Sequence, residues 1–133
     1  MLYKPLMDHQ GFFDALDAVF AAHDLAREGA VAAAVSGGPD SMALAALLAA
    51  YLETRSGPAL HALSVDHGLR PEAAAEARAA GAWLAKAYPA VRHEILVRDT
   101  DNLPPARVQE RARADRYALM AAHCREAGIR FLF

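Results

Sequence analysis

The sequence predicts an α/β fold of three layers: a parallel sheet between two layers of helices. Three observations carry this. Short apolar runs recur along the chain, and the segments between them have helical length and composition. Two successive strands joined through a helix pair in parallel with a right-handed crossover. Alanine, the strongest helix former, fills the connecting segments.

The elements follow in order. Phe12, Leu16, Val19, Phe20 and His23 fall on one helical face, and Gly29 is expected to end that segment. Residues 1–29 therefore read as an N-terminal helical segment packed on a domain of residues 30–133. Ala30 to Val35 is an apolar run before a glycine pair, as in a buried strand. Ser41 to Glu53 is apolar all round, which predicts a helix covered on several sides. Ser56-Gly57-Pro58 is a turn, and Ala59 to Val65 a second strand. Pro71 suits a helix start, and Glu72 to Ala87 continues with high helix propensity. Val91 to Val97 is a third strand and Asp99 to Pro105 a polar, proline-bearing loop. Ala106 to Ala127 is a long helix closed by Gly128, and Ile129 to Phe133 opens a fourth strand. In a parallel sheet, ligands bind beyond the carboxyl ends of the strands. The loops after Val35, Val65 and Val97 should therefore share one edge.

Length and composition exclude several classes. With 133 residues, 55% of them hydrophobic and 23% charged, the chain is large enough for one compact domain and is not disordered. A net charge of -2 rules out a whole-protein basic field for holding nucleic acid. Cys124 is the only cysteine, so neither an internal disulfide nor a cysteine-built zinc site is available. It reads as a small buried hydrophobe, and a reducing cytoplasm is the expected location. The opening MLYKPLMDHQG lacks the apolar run of a signal peptide. The longest uncharged apolar stretch, Ser41 to Leu52, is too short to span a bilayer, so no membrane partner is expected.

The strongest functional signal is Ser36-Gly37-Gly38-Pro39-Asp40-Ser41, between an apolar strand and an apolar helix. Two glycines let backbone turn tightly against a ligand. The amides of a helix N-terminus lack intrahelical acceptors and, with the helix dipole, favour phosphate. Ser41 can donate its hydroxyl to a phosphate oxygen. Asp40 would repel phosphate unless a cation such as Mg²⁺ bridged the two. The plainer alternative is a tight strand-to-helix turn with Asp40 or Ser41 as N-cap. The loop is not a Walker A motif: the first lysine after it is Lys86. The chain also lacks GxGxxG.

SGGPDS resembles the SGGxDS signature of the PP-loop ATP pyrophosphatases, whose fold is a Rossmann-like parallel sheet of the adenine nucleotide alpha hydrolase-like type. These enzymes cleave ATP between the α and β phosphates, adenylate a carbonyl oxygen and let a nucleophile displace AMP. Two further segments point within the group. Val65-Asp66-His67-Gly68-Leu69-Arg70 resembles the VDHGLR segment of the tRNA(Ile)-lysidine synthetases, which implies that Asp66 and His67 lie near the adenosine. A solvated turn with Leu69 tucked into the core is the alternative. Ala112-Arg113 and Arg116-Tyr117 look like that branch's AR..RY stretch. Gln109, Arg113 and Arg116 share one helical stripe beside the apolar stripe of Tyr117, Met120, Ala121 and Cys124. The resemblance places an arginine at the ATP site, with Arg113 the first choice. A solvated face paired with Glu110 and Asp115 is the alternative.

The resemblance implies a ligase forming a C–N bond. ATP·Mg²⁺ would adenylate the wobble cytidine of tRNA(Ile) with a CAU anticodon, and L-lysine would displace AMP. Ser36 to Ser41, Asp66, His67 and Arg113 would hold ATP. Asp40 and Arg113 would serve catalysis, and Asp40 would hold the metal. A sibling synthetase with another acceptor, or a nucleotide-binding module without catalysis, remain as alternatives. The 2-thiocytidine type needs a cysteine pair for its iron–sulfur cluster, which a single cysteine does not supply. The sequence stops within Arg130-Phe131-Leu132-Phe133 and lacks the AHHxDDxxET-type motif that follows in the family. The fold is therefore expected to be truncated after the fourth strand, and the isolated chain inactive. An open edge there would invite aggregation or a homodimer.

Overall fold

The computed structural model describes residues 9–68, 71–97 and 108–133. The elements are α1 (Gln10–His23), a 3₁₀ turn (Leu25–Arg27), β1 (Ala30–Ala34), α2 (Pro39–Arg55), β2 (Ala59–Asp66), α3 (Glu72–Ala87), β3 (Arg92–Val97) and α4 (Val108–Ala127). Leu69, Arg70 and the expected loop at Asp99 to Pro105 lie outside the described residues, as do residues 1–8.

The sheet is parallel in the order β1-β2-β3, with Ala30 opposite Ala59 and His61 opposite Arg92. Val35 donates its amide to Leu63 on the β2 side. Ala32 and Ala34 donate theirs the other way, to the carbonyls of Phe131 and Phe133 at 3.0 and 2.9 Å. The expected fourth strand is thus a parallel bridge, Leu132 to Ala32, on the free side of β1. The chain builds outward from β1 to β3, and α4 then carries it back past β1. The winding reverses at β1, and such a reversal opens a ligand crevice at the carboxyl ends of the strands.

Period-two alternation assigns the two faces of the sheet. Val31, Ala33 and Leu60 pack in one core with α1 and α2, while Val35 and Ala62 meet Ala45, Ala80 and Leu84 of α2 and α3. Ala32 and Leu63 face Met120, Cys124 and Ile129 across the opposite layer. The all-apolar α2 is covered as its composition demands: Ala45, Ala46, Leu48, Ala49, Tyr51 and Leu52 are all buried. Cys124 is buried, and burial pushes its thiol pKa up.

Two local expectations shift. α1 ends at Asp24, whose left-handed backbone (φ 55) stops the helix five residues before Gly29. Aspartate tolerates that conformation better than most residues. The buried stripe of α1 is Phe13, Leu16 and Phe20, while Val19 is 39% exposed.

Tyr51 and Arg55 of α2 hold α1 in place. Tyr51 receives Phe13 and Phe20 edge-on, with ring centroids 5.4 and 5.0 Å away. Its hydroxyl donates to Asp17 Oδ1 at 2.7 Å, and Arg55 Nε donates to the same oxygen at 3.0 Å. Burial, followed by the Asp17 hydrogen bond, pushes the Tyr51 phenol from 10.0 up to about 12. A raised folded-state pKa contributes stability that is complete below pH 10.0 and is lost as pH rises toward about 12. Denaturant midpoints measured across this window should fall more steeply for the wild type than for Tyr51→Phe. Parallel curves would show that the phenol is not held as described.

Candidate functional site

The loop between β1 and α2 is a small hydrogen-bonded unit. Gly37 sits at φ +88, a conformation that L side chains rarely adopt. Gly38 is the N-cap of α2 and Pro39 its first residue, so neither Asp40 nor Ser41 caps the helix. Proline suits that place because its missing N–H would have had no partner. Ser41 Oγ accepts from the Ser36 amide at 3.0 Å, lies 2.9 Å from Ser36 Oγ and donates to the Gly38 carbonyl at 3.2 Å. Ser36 Oγ in turn accepts from the Gly38 amide at 3.3 Å. Met42 makes the first helical bond, to Gly38. The amides of Asp40 and Ser41 in the first turn have no intrahelical acceptor, and the helix dipole adds partial positive charge there.

Two cavities flank this loop. One, of about 370 Å³, opens over the carboxyl ends of β1 and β2 and is lined by Ser36, Ser41, Ser64, His67, Glu76 and Arg116, among others. The second, of about 900 Å³, lies between α2 and α3 and is lined by Ser36 to Asp40, Glu76 and Trp83. Both are within the size range of small-ligand sites.

The sequence-derived candidates separate here. Ser36, Ser41 and His67 meet in the first cavity, while Gly37, Gly38, Pro39 and Asp40 line the second. Asp66 turns the chain after β2: its Oδ1 accepts the Gly68 amide at 3.1 Å, with Gly68 at φ +72. Arg113 is exposed and does not line either cavity; Arg116, half-buried, lines the first beside Tyr117. The Arg116 guanidinium lies 5.6 Å from the centre of the Tyr117 ring. Arg113 stands one turn, about 4.5 Å, nearer the start of α4. The side chain of Gln109 lies outside the described residues.

Glu76 is the residue that sequence reasoning missed. It borders both cavities, yet within Glu-Ala-Ala-Ala-Glu-Ala-Arg it reads as an ordinary solvated helix position. Only the crossover that lays α3 beside the loop reveals it. The combined site offers hydroxyls, free amides and a guanidinium for anionic oxygens, with Asp40 and Glu76 as carboxylates at the rim. This oxygen-rich set fits Mg²⁺, which takes carboxylate and phosphate oxygens together.

A glycine-bearing loop with this geometry, at the reversal point of a parallel sheet, is the arrangement by which an α/β domain can hold a nucleotide. Residues 12–133 match the PP-loop domain family, and the chain belongs to that family. It is 45% identical over 100 residues to the tRNA(Ile)-lysidine synthase of Rhodopseudomonas palustris, covering 74% of this chain and 28% of that protein. It is 42% identical over 115 residues to the tRNA(Ile)-lysidine synthase of Brucella ovis, covering 86% and 25%. The chain thus spans about a quarter of the length of these curated relatives. Its fold resembles the U34-tRNA thiolase NcsA of Methanococcus maripaludis, solved with its iron–sulfur cluster. The TM-score is 0.73 at 19% identity, over 92% of this chain and 43% of that one. Among the described residues, no helix is long and apolar enough to cross a membrane.

Proposed function

We propose that this chain is the ATP-binding part of a cytoplasmic tRNA-modifying ligase that joins lysine to the wobble cytidine of tRNA(Ile). The observation that carries the reading is the Ser36–Ser41 loop, with two hydroxyls and two free first-turn amides at the switch point of the sheet. The similarity to tRNA(Ile)-lysidine synthases supports the choice of acceptor. In this reading the C2 oxygen of cytidine attacks the α-phosphate of ATP and pyrophosphate leaves. The ε-amine of lysine then attacks C2, loses a proton and expels AMP with the C2 oxygen. Ser36, Gly37, Gly38, Pro39, Asp40 and Ser41 hold the phosphates as they part, and His67 borders the same cavity.

Arg116 is the cation best placed to stabilise charge at the reacting phosphate, with Arg113 a turn away toward incoming substrate. Asp40, aided by Glu76, would hold Mg²⁺, which when bound would offset charge on the phosphate oxygens. Asp66 shapes the turn that presents His67. The full-length protein, given ATP·Mg²⁺, labelled lysine and tRNA(Ile), should incorporate lysine into the tRNA. Binding of ATP without lysine incorporation would retain the domain assignment and sink the lysine assignment.

A further inference from the structure

A second cluster of metal-ligating side chains lies far from the phosphate loop. His61 of β2, Glu94 of β3 and His123 of α4 meet on the α4 face of the sheet, each offering one ligand atom within 4.8 Å of the others. Asp66, at the ligand edge, is five positions further along β2, about 16 Å at the rise of a strand. His61 is 8% exposed, and its Nδ1 has no hydrogen-bond partner among the described residues. The same holds for Nε2 of His123, whose side chain is 15% exposed. A buried nitrogen without a partner is rare in a folded protein, and a bound ion is among its recognised explanations. The orphaned His61 nitrogen, in a cluster with a second imidazole and a carboxylate, points to a missing centre.

The spacing agrees with a tetrahedral ion. Ligand atoms each about 2.1 Å from zinc stand about 3.4 Å apart. His123 Nδ1 and Glu94 Oε2 are 3.4 Å apart. The third ligand atom, from His61, lies within 4.8 Å of both. Two imidazoles and a carboxylate suit Zn²⁺ and disfavour Mg²⁺ or Ca²⁺, which take oxygen. Arg92, opposite His61 on β3, opposes a cation, and the Glu94 carboxylate offsets it. Glu94 is 45% exposed, which leaves an entry path and a fourth position for water.

We propose that His61, Glu94 and His123 form a zinc site that pins α4 to β2 and β3. It is independent of ATP and of the lysine reading. The test is calorimetric titration of Zn²⁺ alone into the tag-free, chelator-stripped chain, with Mg²⁺ as control and thermal melting alongside. One equivalent of Zn²⁺ should bind and raise Tm, and Mg²⁺ should not. His61→Gln and His123→Gln should each weaken binding by about 100-fold or more, since even outer-shell partners are worth 10- to 100-fold. Glu94→Gln, at an exposed position, should weaken it without disturbing the core, and circular dichroism should show all three variants folded. Co²⁺ should give the visible absorption of a tetrahedral site in the wild type only. Absence of saturable Zn²⁺ binding, or equal binding in Glu94→Gln and a folded histidine variant, would overturn the proposal.

Discussion

Ser41→Ala should weaken ATP·Mg²⁺ binding by about 10- to 100-fold while leaving the fold intact. Ser41 Oγ is the hub of the loop: it accepts the Ser36 amide, touches the Ser36 hydroxyl and holds the Gly38 carbonyl. Its removal releases those groups and deletes a donor to phosphate. Hydrogen bonds to charged groups contribute about 1.5–3 kcal/mol, and each 1.4 kcal/mol is tenfold in affinity. The side chain is only half-buried, at the start of a helix whose core residues begin at Ala45, so stability should change little. Adding Asp40→Ala should remove the remaining Mg²⁺-dependent part of the affinity. Calorimetric titration of ATP with and without Mg²⁺ reads both effects. Unchanged affinity in the double variant would reduce the loop to a strand-to-helix turn and move the nucleotide elsewhere.

The strand–loop–helix setting of Ser36–Ser41 was legible in the sequence because its six residues are contiguous and its conformation is local. Gly37 at positive φ, Gly38 as N-cap and Pro39 at the first helical position are all decided within a few residues. The alternation of strands and helices was legible for the same reason, and Glu72–Ala87 falls at its expected bounds. Asp24 shows the limit of this reading. Gly29 is the stronger breaker by composition, yet an aspartate that accepts a left-handed backbone ends α1 first.

What the sequence could not yield is set by long-range packing. Arg113 and Arg116 are indistinguishable on a helical stripe, and only the height of α4 over the sheet puts Arg116 in the cavity. Glu76 comes to the loop through a crossover, and His61, Glu94 and His123 join from three elements. Single histidines at such separations carry no pattern that periodicity detects.

Gly81→Ala should lower stability by about 2 kcal/mol, although alanine is the better helix former. Gly81 is buried in α3, against His93 of β3. A Cβ there would meet His93 Cγ at 3.0 Å, with Nδ1 and Cε1 closer still. The ring cannot retreat without cost, because its Nε2 lies 2.8 Å from the Ser64 hydroxyl and would lose that hydrogen bond. Helix propensity favours the substitution by about 1 kcal/mol. Overpacking opposes it by about 1–3 kcal/mol, and loss of the Ser64–His93 hydrogen bond by about 1 kcal/mol more. The steric and polar costs therefore win, and Tm should fall by several degrees.

The same accounting predicts a change of sign. In a His93→Ala background the obstructing ring is gone, the hydrogen bond is already lost and only the propensity gain of about 1 kcal/mol remains. Gly81→Ala should then be neutral or stabilising, giving a coupling between the two positions of about 2–3 kcal/mol, at the upper end for side chains in contact. Denaturant melts of the wild type, both single variants and the double variant measure it directly. Additive effects would mean that α3 does not rest on the His93 ring, and that glycine at position 81 needs another explanation.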